Sequence, residues 1–138
     1  DLKRIQGKNE ECIALLKEVL TIDDSFSAAY QALAFAYIRT GDKPSAFKTL
    51  ETAKKLVKND AQNHYYYAIM QNDSGKSKEA ITTIMKALKT FPNNEQLLTL
   101  AYSIYRDKGD FIEANNILDT LIKVYPNNNQ YQQIKKSN

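Results

Sequence analysis

The sequence predicts an all-α chain of helix hairpins stacked one beside the next, and three observations carry that expectation. The only glycines are Gly7, Gly41, Gly75 and Gly109, each 34 residues from its neighbour. With four glycines and three prolines in 138 residues, and frequent Ala, Leu, Lys, Glu and Gln, the composition favours helix over strand. Small and large apolar residues also recur at helical spacing on both sides of each glycine. A period of this length is the mark of stacked supersecondary units, each too small to bury its apolar face alone.

The columns set each element in turn. Five residues after the glycines stand Cys12, Ala46, Ala80 and Ala114, all small, and nine after stand Leu16, Leu50, Ile84 and Leu118, all large and aliphatic. Val19, Ala53, Ala87 and Leu121 stand twelve after. Ahead of the turns, Leu33, Tyr67 and Ala101 come eight residues before and Ala34, Ala68 and Tyr102 seven before. Each unit is therefore expected to hold two helices joined by a short turn, with the glycine in the left-handed conformation that closes the first. Pro44 suits the first turn of a second helix, Asp110 and Glu113 form a capping pair for another, and Asp60 and Asn94 cap the next first helices. Small residues at Ala34, Ala46, Ala68 and Ala80 let paired helices approach to about 8–10 Å. At the chain's end, Tyr131 and Ile134 are placed to lie on the preceding hairpin with Gln132, Gln133, Lys135 and Lys136 outward. At its start, residues 1–7 keep only Leu2 and Ile5 of a first helix, so a preceding segment is expected.

These columns resemble the tetratricopeptide repeat, whose signature is W-x₂-L-G-x₂-Y, then A-x₃-F, then P. Residues 27–60 carry it through Tyr30, Leu33, Ala34, Tyr37, Ala46, Leu50 and Ala53, and residues 61–94 through Tyr67, Ala68, Ala80, Ile84, Ala87 and Pro92. Residues 95–128 keep Tyr105, Ala114, Leu118 and Pro126 but invert the usual order at Ala101 and Tyr102, which predicts a locally different spacing. Residues 1–26 form a partial repeat and 129–138 a capping helix, so 1–138 reads as a single array. The resemblance implies a right-handed superhelical solenoid acting as a non-catalytic scaffold that binds a protein or peptide segment in its concave groove.

In that family's arrangement the first helices line the groove, and residues ten, six, three and two before each glycine face it. Those offsets select Gln31, Phe35, Ile38 and Arg39, then Tyr65, Ile69, Asn72 and Asp73, then Thr99, Ser103, Arg106 and Asp107. Tyr65, Tyr66 and Tyr67 are adjacent, and successive helical residues turn by about 100°, so the three rings cannot share one face. Tyr65 is expected in the groove, Tyr66 near the seam with the previous repeat and Tyr67 inward at the hairpin contact. An apolar patch of Phe35, Ile38, Tyr65 and Ile69 rimmed by Arg39, Asp73, Arg106 and Asp107 is the footprint of a protein contact. Capture of a C-terminal carboxylate by a Lys/Asn clamp is not supported, because the corresponding offsets carry Gln31, Phe35, Tyr66, Gln96 and Leu100, with no cation.

Other classes of function find little support in the residues. His64 is the only histidine and falls where the repeat packs an aromatic, and Cys12, the only cysteine, sits in the small-residue column. No phosphate loop, metal cluster or haem attachment motif is present, so neither catalysis nor a cofactor is expected. A formal charge of +3 with acids and lysines interspersed does not call for nucleic acid, and no run is long and apolar enough to insert into a membrane. The alternative is an assembly role, docking on a missing N-terminal domain or on a second copy. The run from Tyr65 to Asp110 is similar to the C-terminal repeats of some bacterial exported multihaem cytochrome-like proteins, which implies that kind of attachment. No feature of the sequence decides between cytoplasm and periplasm.

Overall fold

The computed structural model describes residues 1–137, and they form helices joined by short turns. The chain divides into two compact units, Asp1–Tyr67 and Ala68–Asn138. The first holds α1 (Leu2–Ile22), α2 (Ser27–Arg39), α3 (Lys43–Leu56) and the opening of α4 (Ala61–Asp73). The second holds the remainder of α4, then α5 (Ser77–Thr90), α6 (Glu95–Asp107), α7 (Phe111–Val124) and α8 (Asn129–Ser137). None of the helices is long and apolar enough to cross a membrane among the described residues.

Three of the four glycines do what their spacing demands. Gly41, Gly75 and Gly109 adopt φ of 81°, 80° and 82°, each just past a helix end. The same two backbone bonds close each helix: Gly75 N donates to Asn72 O at 3.0 Å and Lys76 N to Gln71 O at 2.9 Å, and the residues around Gly41 and Gly109 repeat the pattern. That is a Schellman closure, which satisfies carbonyls otherwise orphaned at the helix end and reverses the chain.

Gly7 departs from the comb. It lies inside α1, which runs unbroken from Leu2 to Ile22. The residues on either side of it share one backbone ladder. Asp1 anchors that ladder by accepting from Arg4 N at 2.8 Å. Substitution by alanine should therefore act with opposite signs at the two kinds of glycine. Gly75→Ala forces a side chain into left-handed backbone and is expected to cost roughly 1–2 kcal/mol. Gly7→Ala removes a helix-interior glycine with open space around its Cα and should stabilise by about 0.5–1 kcal/mol. Chemical denaturation of both variants checks the pair, and a loss of stability at both positions would contradict this reading of the glycines.

The caps follow the expectation with one exception. Asp42 accepts from Ser45 N at 3.1 Å at the head of α3, whose first turn contains Pro44, and Asn94 accepts from Leu97 N at 3.0 Å at the head of α6. Hydrogen bonds from Ser45 hold the Asp42 carboxyl below its ordinary pKa. Asp60 accepts from Gln62 N at 2.9 Å. Asp110, expected to cap α7, makes no such side-chain bond; its carboxylate instead lies 3.7 Å from Lys108 Nζ across the turn.

Each unit builds its own core from the small-and-large columns. In the first, Ala34, Ala46 and Ala53 are fully buried with Leu50 beside them, and Tyr30 packs with Ala53, Val57 and Leu20 while its hydroxyl donates to Asp24 O at 2.7 Å. In the second, Leu98, Tyr102, Ala114, Leu118, Leu121 and Tyr131 form one cluster against which Ile134 packs. Tyr102, the bulky residue in a small column, is therefore a buried part of the cluster on which α8 sits. The closing helix takes the expected orientation through Tyr131 and Ile134. Gln132 is partly buried and donates to Pro126 O at 3.1 Å in an exposed bond.

Candidate functional site

Of the residues selected by offset, five lie in the first unit. Gln31 is tied into a polar network that no column of the repeat foretells. Its Nε2 donates to Asn63 Oδ1 at 3.0 Å and to Asp60 Oδ2 at 3.2 Å. Asn63 Nδ2 donates to Ser27 Oγ at 3.0 Å, and Ser27 Oγ donates to Asp60 Oδ2 at 2.5 Å. Asn63 is fully buried, and this network satisfies both ends of its amide. Gln31 thus spends its side chain in joining α2 to the start of α4.

One turn further along α2, Phe35 and Ile38 remain 39% and 38% exposed. The Phe35 ring meets Tyr66 edge-on, with centroids 5.0 Å apart, and Tyr66 in turn lies against Tyr65 at 5.5 Å. Phe35, Tyr66 and Tyr65 therefore form a continuous run of rings with Ile38 on the same helix as Phe35. Edge-on contacts of this kind add to area burial and hold the rings in place. Tyr66 is the residue that offset reasoning left out of the site. Its signal was its place at the seam with the previous repeat, opposite an aromatic at position 35. Arg39 is exposed at the end of α2, where its Nε donates to Asn9 Oδ1 of α1 at 3.3 Å.

Tyr67, expected inward at the hairpin contact, packs edge-on against Phe47 of α3 at 5.3 Å, with Lys54 Nζ 4.0 Å from its centroid. Burial, then the charge of Glu51 and a hydrogen bond to it, raise the Tyr67 pKa. Burial opposes ionisation of Glu51, but Lys54, the Tyr67 hydroxyl and Lys55 together hold its carboxyl below the usual range. The preceding repeat's second helix offers this ring an aromatic edge, a cation and an acceptor, and that combination sets its direction.

The other seven candidates lie in the second unit. Ile69 and Asn72 are partly buried and Asp73 is exposed, all on α4. On α6, the Thr99 hydroxyl donates back to Glu95 O at 2.9 Å and Ser103 is partly buried. Arg106 places its guanidinium 5.6 Å from the Tyr102 ring centre and 3.6 Å from Asp107. His64 is partly buried and engaged, and Cys12 is a half-buried free thiol.

Residues 4–72, about half the chain, match the sequence model of the family described as Tetratricopeptide repeat. No curated protein matches the chain. Among solved structures, a thermophilic TPR protein of Thermus thermophilus superposes with a TM-score of 0.73 at 16% identity, covering 95% of this chain and 73% of that one. MamA of Desulfovibrio magneticus does so at 0.67 and 18% identity, covering 96% and 73%. A tetratricopeptide repeat protein of Parabacteroides merdae gives 0.68 at 16% identity, covering 95% of this chain and 51% of that one. At such identities the likeness is one of fold.

Proposed function

The chain belongs to the tetratricopeptide repeat family, whose proteins are protein–protein interaction scaffolds and in general non-catalytic, and we propose that it holds a protein segment on the α2–α4 aromatic face of its first unit. One observation carries this reading. Phe35 and Ile38 stay exposed although the Phe35 ring packs edge-on against Tyr66, so apolar surface is offered to solvent. A segment inserting an aromatic or aliphatic side chain there gains apolar contact area. Ile69, Asn72, Asp73, Thr99, Ser103, Arg106 and Asp107 are proposed as further contacts in the second unit, with Arg106 and Asp107 supplying polar partners.

The experiment is to pan a random-peptide display library on the chain and to repeat the binding with the Phe35→Ala/Tyr65→Ala double variant. Each well-placed anchor contributes about 1–3 kcal/mol, so the double variant should bind the enriched peptides at least about 100-fold more weakly, with its helical circular dichroism unchanged. Undiminished binding by a folded double variant would reject the assignment.

A further inference from the structure

α5 turns Ala80, Ile84 and Ala87 into the core, and the opposite side of the same helix carries Lys78, Thr82, Met85, Lys86 and Lys89. These five positions are linked by steps of three and four residues, so they share one outward face. All are exposed, Met85 to 41%. None of the three lysines enters an ion pair among the described residues. Glu79 is the only acid of α5, and it stands in the first turn, about 100° around the helix from Lys78. The same face of the other second helices is built differently. Where α5 has Met85, α3 has Glu51 and α7 has Asp119, and each acid answers a lysine, Glu51 pairing with Lys54 and Asp119 with Lys135. Lys48 and Lys55 on α3, and Asn116 and Lys123 on α7, are exposed as their counterparts on α5 are. Exposure therefore belongs to the position in the repeat, whereas unopposed lysines around an apolar centre belong to α5.

We infer that this face binds an acidic amphipathic helix of a partner protein, with an apolar side chain of that helix on Met85 and carboxylates to either side meeting the lysines. Charge and shape select that occupant. Lysines without an internal counterion attract carboxylates, and charge complementarity decides which partner approaches and how fast. The file from Lys78 to Lys89 is about 16 Å long, three helical turns, and one helix wide. Met85 stands within it, a thioether that adapts to an apolar partner, beside the methylene stems of Lys86 and Lys89. A polyphosphate chain has nothing to match that apolar centre, and a bilayer calls for a basic surface broader than one helix edge. Exposed ion pairs are individually weak, so the complex is transient and salt-sensitive. The face lies on the second unit and shares no residue with the α2–α4 aromatic face, so the inference stands independently of the reading given to that face.

Panning a display library of helical peptides on the Phe35→Ala/Tyr65→Ala chain tests it with the aromatic face removed. The enriched peptides are expected to carry acids on both sides of an apolar residue along one helix face. Their binding should weaken at least about tenfold when salt is raised from about 50 to about 500 mM. Lys78→Gln/Lys86→Gln/Lys89→Gln should weaken it by at least about tenfold, and Met85→Glu, the residue that α3 holds at that position, by a comparable factor. Helical circular dichroism should be unchanged in both variants. A selection that yields no acidic peptides, or binding that survives either variant, would overturn the inference. So would lysine-dependent binding to phosphatidylglycerol vesicles or to a single-stranded oligonucleotide that equals or exceeds binding to the peptides, which would assign the face to lipid or nucleic acid instead.

Discussion

Asn63→Asp is expected to destabilise the chain by about 3–5 kcal/mol at neutral pH, the cost of an unpaired charge in a buried site. Asn63 is fully buried between Gln31 and Ser27, and its amide both accepts and donates. The substitution replaces the donor that faces Ser27 Oγ with a second acceptor. Ser27 cannot compensate, because its hydroxyl proton is already given to Asp60. The new carboxylate would also share the network with the Asp60 carboxylate, so two like charges would be held against the same Gln31 amide nitrogen. The introduced carboxyl avoids both problems only by staying protonated, which raises its folded pKa above the unfolded value near 3.9. The sign follows directly: the variant is least impaired below about pH 4 and loses stability as pH rises through the raised folded pKa. Urea denaturation of both proteins from pH 4 to pH 8 measures this, and a pH-independent difference would show that the network is not closed as described.

Tyr131→Ala should have an effect of similar size, about 3–5 kcal/mol, concentrated in the closing helix. Tyr131 is the buried residue of α8, and its ring fills the cluster formed by Leu98, Tyr102, Leu118 and Leu121. Its hydroxyl donates to Glu95 Oε2 at 2.6 Å, which ties α8 to the start of α6. Without the ring, Ile134, the surface pair Lys135–Asp119 and the Gln132 bond to Pro126 O are left to hold a helix of nine residues, too short to persist undocked. Hydrogen exchange across residues 129–137 should therefore approach that of an unfolded segment. Tyr131→Phe keeps the ring and loses only the bond to the carboxylate, about 1.5–3 kcal/mol. Burial first, and then the hydrogen bond and charge of Glu95, push the Tyr131 pKa up to about 12. The protonated hydroxyl is the form that the fold favours, so its contribution is complete below the ordinary value near 10 and disappears as pH rises toward 12. The advantage of the native chain over Tyr131→Phe should vanish across that interval, and an advantage that persisted above it would contradict the assignment.

Much of this was legible in the residues because a repeat multiplies weak signals. The interval between glycines located three turns, and the columns around them identified Ala34, Ala46, Ala68 and Ala80 as fully buried from position alone. Gly7 escaped the rule because a glycine permits a turn but does not compel one. The α3 neighbours of Tyr67 were not legible, because direction on a helix fixes a sector, while the neighbours in that sector, here Phe47 and Lys54, come from another repeat. Tyr66 was placed correctly at the seam but not credited with joining Phe35 to Tyr65, since ring contacts between helices have no signature in spacing. The Asn63 network had none either: an asparagine within a helix reads as surface until its partners are known.

Distance from a turn glycine decides whether a side chain is enclosed or offered, and every assignment above depends on that. Maleimide labelling of single cysteines in a Cys12→Ala background measures it most directly. Cysteines replacing Phe35, Ile69 and Ser103, six residues before their glycines, should react at least about tenfold faster than those replacing Ala34 and Ala68, seven before. Equal rates at neighbouring positions, or faster labelling at 34 and 68, would show that the thirty-four-residue comb does not set direction in this chain.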